Sequence, residues 1–241
     1  MYLSTFCKNY WIIYNKSEME LYTMDSKDEL DLKAQELIKE SRSRVTELDE
    51  KAKLLLFKAA RSFNGWKKNT VSDDQLREIY DLLKLCPTSA NVCPIRIKFI
   101  RSKTAKELLQ PILFEANRAK TMDAPVVAIL GNDYAFFEHN SFLAPHKPQG
   151  IADRMKENPQ LVAPWANLNG TLQAAYFIMA VRAVGLDAGP MQGLDKEAAD
   201  RAFWEGTEVK TNFICSVGYG DETTVFKKLP RFEFDQVCEF L

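Results

Sequence analysis

Five segments of this chain carry side chains able to hold a flat, anionic ligand. Residues 60–66, Ala-Arg-Ser-Phe-Asn-Gly-Trp, set a cation, a hydroxyl and an amide (Arg61, Ser62, Asn64) close together, a combination that suits a phosphate or a polyol. A polar helix end would use the same residues. Residues 86–94, Cys-Pro-Thr-Ser-Ala-Asn-Val-Cys-Pro, hold Thr88, Ser89 and Asn91 between two prolines. That makes either a stiff loop exposing N–H and O–H donors or a plain capping loop. In residues 115–120, Asn117 can donate and accept at one ligand edge, and Lys120 can neutralise negative charge that develops there. A solvated helix end would account for the same charges. Residues 226–231, Phe-Lys-Lys-Leu-Pro-Arg, place Lys227, Lys228 and Arg231 around a proline, which fits phosphate binding or an exposed basic tail. Finally, Gly185, Gly189, Pro190 and Gly193 fall within residues 185–195, Gly-Leu-Asp-Ala-Gly-Pro-Met-Gln-Gly-Leu-Asp. Glycine there lets a main-chain N–H approach a flat ring, and proline offers a rigid apolar edge beside it. A helix C-cap followed by a turn is the plainer reading of that run.

Together these pieces match what flavin mononucleotide (FMN) requires. Its phosphate needs cations or N–H donors, its dimethylbenzene end apolar surface, its pyrimidine end donors and an acceptor, and its N5 atom a backbone N–H. A flavin that exchanges hydride with NADH or NADPH needs no side-chain nucleophile and no Gly-x-Gly-x-x-Gly fingerprint, and none is present. The alternative is a flavin-binding or regulatory module with little turnover, its reactive face blocked by a lid drawn from residues 131–164. A hydrolase fares badly: there is no Gly-x-Ser-x-Gly elbow, and only His139 and His146 are available as bases.

The elements that must position these residues alternate between helix and strand. Residues 50–61 read as a helix with Leu54, Leu55, Phe57 and Ala59 available for burial. Ser72-Asp73-Asp74-Gln75 opens a helix through Leu85 with a capping box. Residues 95–101 alternate as a strand with one wet face, and 104–110 form a short helix. The apolar run 124–131 is a buried strand, and residues 131–164 make an irregular lid or a helical excursion. The most apolar helix spans 169–184. A second buried strand lies in 211–220, and Phe232-Glu233-Phe234 alternates as an edge or exchanged strand would. Before these, residues 1–23 show no clear period. Residues 26–48 suit an exposed amphipathic helix broken near Ser41-Arg42-Ser43, and Met24 offers a second candidate start.

Bulk properties narrow the classes. At 241 residues, with 46% hydrophobic and 27% charged, the chain supports one packed domain with an appendage. A net charge of −1 gives no general attraction to nucleic acid or to an anionic membrane, and no apolar run reaches spanning length. Cys7, Cys86, Cys93, Cys215 and Cys238 include no Cys-x-x-Cys pair, which argues against zinc and against a disulfide framework. The N-terminus lacks a signal-peptide pattern, so a cytoplasmic location is expected.

In combination and in order, Ala-Arg-Ser-Phe-Asn-Gly-Trp, Pro-Thr-Ser-Ala-Asn, Asn-Arg-Ala-Lys-Thr-Met, Gly-Pro-Met-Gln-Gly and Lys-Leu-Pro-Arg resemble the nitroreductase family of flavin enzymes over residues 49–241. Within it the likeness is to the branch named for malonic semialdehyde reductase or 3-hydroxypropionate dehydrogenase activity, in pyrimidine degradation. The resemblance implies an α+β, three-layer fold, a central, mainly antiparallel sheet flanked by helices, in an intertwined homodimer with FMN at the subunit interface. Residues 1–48 would be an N-terminal extension and 49–241 the FMN-binding domain. It further implies that Arg61, Ser62 and Asn64 contact the phosphate and ribityl chain, completed by Lys228 and Arg231. Pro87, Thr88, Ser89 and Asn91 would come from the partner chain. Asn117 and Lys120 would sit at the pyrimidine edge, and Pro190 against the ring with the Gln192 and Gly193 backbone near N5. The expected acceptors are malonic semialdehyde, nitroaromatics, quinones or an enone, reached by a ping-pong route. Many family members carry basic residues where this chain has Ala60 and Asn64, a neutral pattern shared with that branch, so phosphate binding leans harder on Arg61, Lys228 and Arg231.

Overall fold

The computed structural model describes residues 24–241, so the reading of residues 1–23 lies outside the described residues. The chain divides into two compact units between Ala52 and Lys53. The first holds helix α1 (Met24–Arg44), which carries two exposed i,i+4 ion pairs, Lys33–Glu29 at 2.7 Å and Arg44–Glu40 at 2.5 Å. The expected break near Ser41 does not occur. Ser43 Oγ donates to the Glu40 carbonyl at 2.7 Å, so the hydroxyl is satisfied on its own helix and the helix runs on to Arg44.

Helix α2 (Glu50–Lys53) precedes a π-helical turn at Leu54–Lys58. The turn corrects the expectation of one regular helix with four buried apolar residues. Closed by Ala59 N–H donating to the Leu54 carbonyl at 2.8 Å, it carries an extra residue and rotates the side chains. Leu56 is partly buried, while Leu54, Leu55, Phe57 and Ala59 all face outward.

The remaining elements are α3 (Asp73–Leu83), β1 (Ile95–Ile100), α4 (Lys103–Leu109), α5 (Glu115–Asp123), β2 (Val126–Asp133), α6 (Asn140–Leu143), α7 (Gly150–Glu157), α8 (Val162–Ala183), β3 (Asp187–Met191), α9 (Lys196–Phe203), β4 (Val209–Gly218) and α10 (Phe234–Val237). The strands form one sheet in the order β1-β2-β4-β3, every neighbouring pair antiparallel. All residues of β2 are buried, as a strand covered on both faces must be. Val126, Ala128 and Leu130 pack with Leu76, Ile79 and Leu83 of α3 and Phe177 and Val181 of α8. Val127 and Ile129 point the other way, against Leu109, Leu113, Phe203 and Trp204. Side chains alternating across the pleat thus hold a helical layer on each face, giving three layers.

Local signals set several ends. Ser72 Oγ accepts from Gln75 N–H at 3.1 Å and Gln75 Oε1 accepts from Ser72 N–H at 3.0 Å, a complete capping box at the start of α3. At the end of α8, Gly185 takes φ +78°, and Leu186 N–H donates back to the Val181 carbonyl at 3.1 Å. The chain then enters β3 rather than staying in a turn. Pro190 is tolerated because β3 is an edge strand, bonded among the described residues to β4 alone. Residues 131–164 form the helical excursion, built on a small core of Val92, Phe136, Met155 and Ala166. The expected strand at Phe232–Phe234 does not form: Phe232 is irregular, Glu233 caps α10, and Phe234 begins it. A strand needs a bonding neighbour, and Glu233 and Gln236 satisfy each other in a capping box here.

Candidate active site

Two segments, residues 58–67 and 219–228, lie side by side. Arg61 donates a guanidinium N–H to the Phe226 carbonyl, Asn64 Nδ2 donates to the Thr224 carbonyl at 3.1 Å, and the Lys228 ammonium donates to the Lys58 carbonyl. Main-chain bonds from Lys67 N–H to Tyr219 O (2.8 Å) and from Asp221 N–H to Gly65 O (3.0 Å) continue the pairing. Arg61, Ser62, Asn64 and Lys228 are therefore brought to one patch although more than 160 residues separate Asn64 from Lys228.

A second group forms where α5 meets the loop after β3. Asn117 Nδ2 donates to the Gly193 carbonyl at 3.3 Å, and Phe114 N–H reaches the same oxygen at 3.0 Å. Gly193 permits this approach, since a Cβ there would displace the Asn117 carboxamide. Among the described residues the Asn117 carboxamide oxygen and the Lys120 ammonium have no protein partner. They stand three positions apart on α5, hence on one face, offering an acceptor and a cation to whatever lies beside β3.

Trp66 joins these pieces, and sequence reasoning quoted it without giving it a role. Its Nε1–H donates to the Lys120 carbonyl at 2.9 Å, its backbone N–H to Asp123 Oδ2 at 3.3 Å, and it pairs in a β-bridge with Gly220. Its ring lies 3.4 Å from the place a Cβ on Gly189 would occupy and 3.1 Å from that on Gly218. A tryptophan inside an otherwise polar run was the available signal. Nearby, Lys68 pairs with Asp123 at 2.6 Å and holds its carboxyl below the usual range. Burial lowers the Lys106 ammonium, which donates to the Met122 carbonyl at 3.0 Å. Burial raises the Asp187 carboxyl, although it accepts from Gly220 N–H at 2.9 Å.

The remaining predicted residues lie elsewhere. The loop holding Pro87, Thr88, Ser89 and Asn91 is tied to the opposite end of α8: Ser89 N–H donates to Asn169 Oδ1 at 2.7 Å, and Asn91 Nδ2 to the Leu143 carbonyl at 2.8 Å. Ala90, Asn91 and Cys93 adopt left-handed backbone (φ 50°, 55° and 39°), a conformation that costs energy outside glycine. Arg231 is exposed and, among the described residues, donates only to its neighbours' carbonyls, Leu229 O at 3.1 Å and Pro230 O at 2.9 Å. Pro190, Gln192 and Gly193 do belong with the second group, through Gly193 and through Met191, whose Sδ accepts from Thr121 Oγ1 at 3.7 Å.

An antiparallel sheet between two helical layers, with polar segments gathered at its edge strand, defines a three-layer α+β domain of nitroreductase-like fold. The model of the Nitroreductase family matches residues 57–219. The chain is similar to an NADH dehydrogenase/NAD(P)H nitroreductase of Leptothrix cholodnii, 43% identical over 194 residues, covering 80% of this chain and 98% of that protein. A protein of the same description from Ralstonia pickettii is 49% identical over 186 residues, covering 76% of this chain and 94% of its own. Among solved structures, a nitroreductase from Exiguobacterium sibiricum in complex with FMN superposes with a TM-score of 0.69 at 20% identity, covering 78% of this chain and 96% of that one. The chain belongs to the nitroreductase family, and it is an oxidoreductase enzyme.

Proposed function

We propose that this chain is an FMN-dependent NAD(P)H oxidoreductase that acts as a homodimer. The observation that carries the reading is the pair formed by Asn117 and Lys120, whose acceptor and cation have no partner among the described residues and stand beside a glycine whose Cβ would displace the Asn117 carboxamide. That donor set fits the edge of a flavin pyrimidine ring. When bound, FMN supplies two-electron chemistry, accepting hydride from NADH or NADPH and returning it to an acceptor in the same open site. The protein binds and orients. Arg61, Ser62, Asn64 and Lys228 would hold the phosphate and ribityl chain, Asn117 and Lys120 the pyrimidine edge, and Pro190, Gln192 and Gly193 the ring. Lys120 would offset negative charge gained on reduction.

The homodimer is supported by apolar side chains left exposed on one chain. Leu168, Leu172 and Tyr176 form a stripe on α8 at i, i+4 and i+8, and Leu54, Leu55, Phe57, Phe226, Leu229 and Phe232 are also exposed. A partner copy would cover such surfaces and bring Pro87, Thr88, Ser89, Asn91 and Arg231 toward the site. A cytoplasmic setting suits Cys86, Cys93, Cys215 and Cys238, all free thiols. For the acceptor, malonic semialdehyde, a nitroaromatic, a quinone or an enone all suit a hydride-donating flavin. Steady-state oxidation of NADH and NADPH with a panel of these acceptors tests the reading. Parallel double-reciprocal plots with at least one acceptor are expected. Retained flavin with negligible turnover for every acceptor would instead identify a binding module.

A further inference from the structure

We infer that Trp66 is a positioning residue that acts through Lys120, its indole N–H holding the last turn of α5 so that the Lys120 ammonium favours the reduced over the oxidised cofactor. The inference rests on the flavin reading and assigns work to a side chain that touches none of the atoms said to hold the ligand.

The geometry is specific. Lys120 lies within the last four residues of α5, where backbone carbonyls lack an acceptor role inside the helix. One of these orphan carbonyls, that of Lys120 itself, receives the Trp66 Nε1–H at 2.9 Å. A second tie, Trp66 N–H to Asp123 Oδ2 at 3.3 Å, grips the same turn, and Lys68 steadies Asp123 at 2.6 Å. The ring is 4% exposed and packs against the sheet at Gly189 and Gly218, and Gly189 immediately precedes Pro190. One side chain therefore sets the spacing between the helix that carries Asn117 and Lys120 and the strand that leads to Gly193. Removing its N–H frees the Lys120 carbonyl and lets the ammonium relax toward solvent, where its charge is screened. An effect routed this way falls mainly on the charged, reduced cofactor. Loss of packing alone would weaken both redox forms alike.

The test is the ratio of FMN dissociation constants for the oxidised and reduced states, measured in wild type, Trp66→Phe, Lys120→Met and the double variant. Trp66→Phe keeps an aromatic ring and loses the donor; about a fivefold loss of preference for reduced FMN is expected, as for one hydrogen bond. In the Lys120→Met background the same change should leave the ratio unaltered. Trp66→His, which retains a ring N–H, should recover part of the preference. Equal weakening of both redox forms, or an effect that persists without the Lys120 ammonium, would overturn the inference. Should Trp66→Phe fail to fold, the Trp66 indole signal of uniformly 15N-labelled wild-type protein decides. The inference requires it to shift when bound FMN is reduced and to stay still in Lys120→Met, and an indole indifferent to reduction rejects it. A wild-type chain that binds no FMN at all is a separate result, one that removes the flavin reading itself.

Discussion

The surroundings of Trp66 and the loop at residues 87–93 both supply candidate ligand contacts, yet they are built in opposite ways. Around Trp66, segments from residues 61–66, 117–123, 189–193 and 219–228 are bonded directly to one another within one chain. The loop at 87–93 bonds instead to Asn169 and Leu143, and its backbone is held left-handed at Ala90, Asn91 and Cys93. On the same helix as Asn169, the stripe Leu168, Leu172 and Tyr176 stays exposed on α8. The difference teaches that the proposed site splits in two: one half is bonded together within a single fold, and the other half would need the proposed second copy to reach it.

The largest expected effect breaks the dependent half. Leu172→Asp puts a charge in the middle of the α8 stripe, and burying an unpaired charge is prohibitive. Size-exclusion chromatography should show a monomer that has lost FMN, while the isolated fold survives because Leu172 is 44% exposed. A dimer that retains FMN would move the interface elsewhere. Next in size, Asn117→Ala or Lys120→Ala should weaken FMN binding by about tenfold, in line with loss of one hydrogen bond to a charged or strongly polar group. Unchanged affinity and unchanged reduction rates in both would remove α5 from the site.

A smaller effect concerns Cys215, paired in register with Pro190 beneath the edge strand. Burial pushes its thiol up to about 12 from an ordinary 9.0. Because the folded value is the higher one, the contribution to stability is complete below pH 9 and fades as pH rises towards 12. Chemical denaturation should show a loss of roughly 1 kcal/mol between pH 9 and pH 10. A Cys215→Ala variant that loses as much over that interval would assign the alkaline sensitivity to other groups. Ser72→Ala, which opens the capping box of α3 and touches none of the proposed ligand contacts, should cost about 1 kcal/mol and leave FMN affinity untouched. Smallest of all, deletion of residues 1–23 should change neither dimerisation nor FMN binding, and loss of either would make that segment part of the core.

What the sequence revealed, and what it hid, follows the range of the interactions concerned. β2 was legible because a strand covered on both faces must be apolar throughout, and α3 because its capping box is closed within four residues. Asn117 and Lys120 stood out by residue type, an amide near a cation, and it is the helix α5 that sets them three positions apart on one face. β3 was read as a turn, since Gly189 and Pro190 are poor strand formers, and only pairing with β4 overrides that local preference. The outward rotation of Leu54, Leu55 and Phe57 was hidden in an added π turn that no apolar pattern encodes. Phe232–Phe234 alternates like a strand but meets no strand among the described residues, so local capping decides its shape. Trp66 escaped notice because its importance lies in contacts to residues more than fifty positions away.

The most direct measurement is the visible absorption spectrum of the purified 241-residue chain, recorded before and after anaerobic addition of NADH or NADPH. Our account predicts a flavin spectrum, native or restored by added FMN, that bleaches on reduction. A colourless protein that also fails to take up FMN would contradict it, and would leave the Asn117–Lys120 pair without the ligand proposed here.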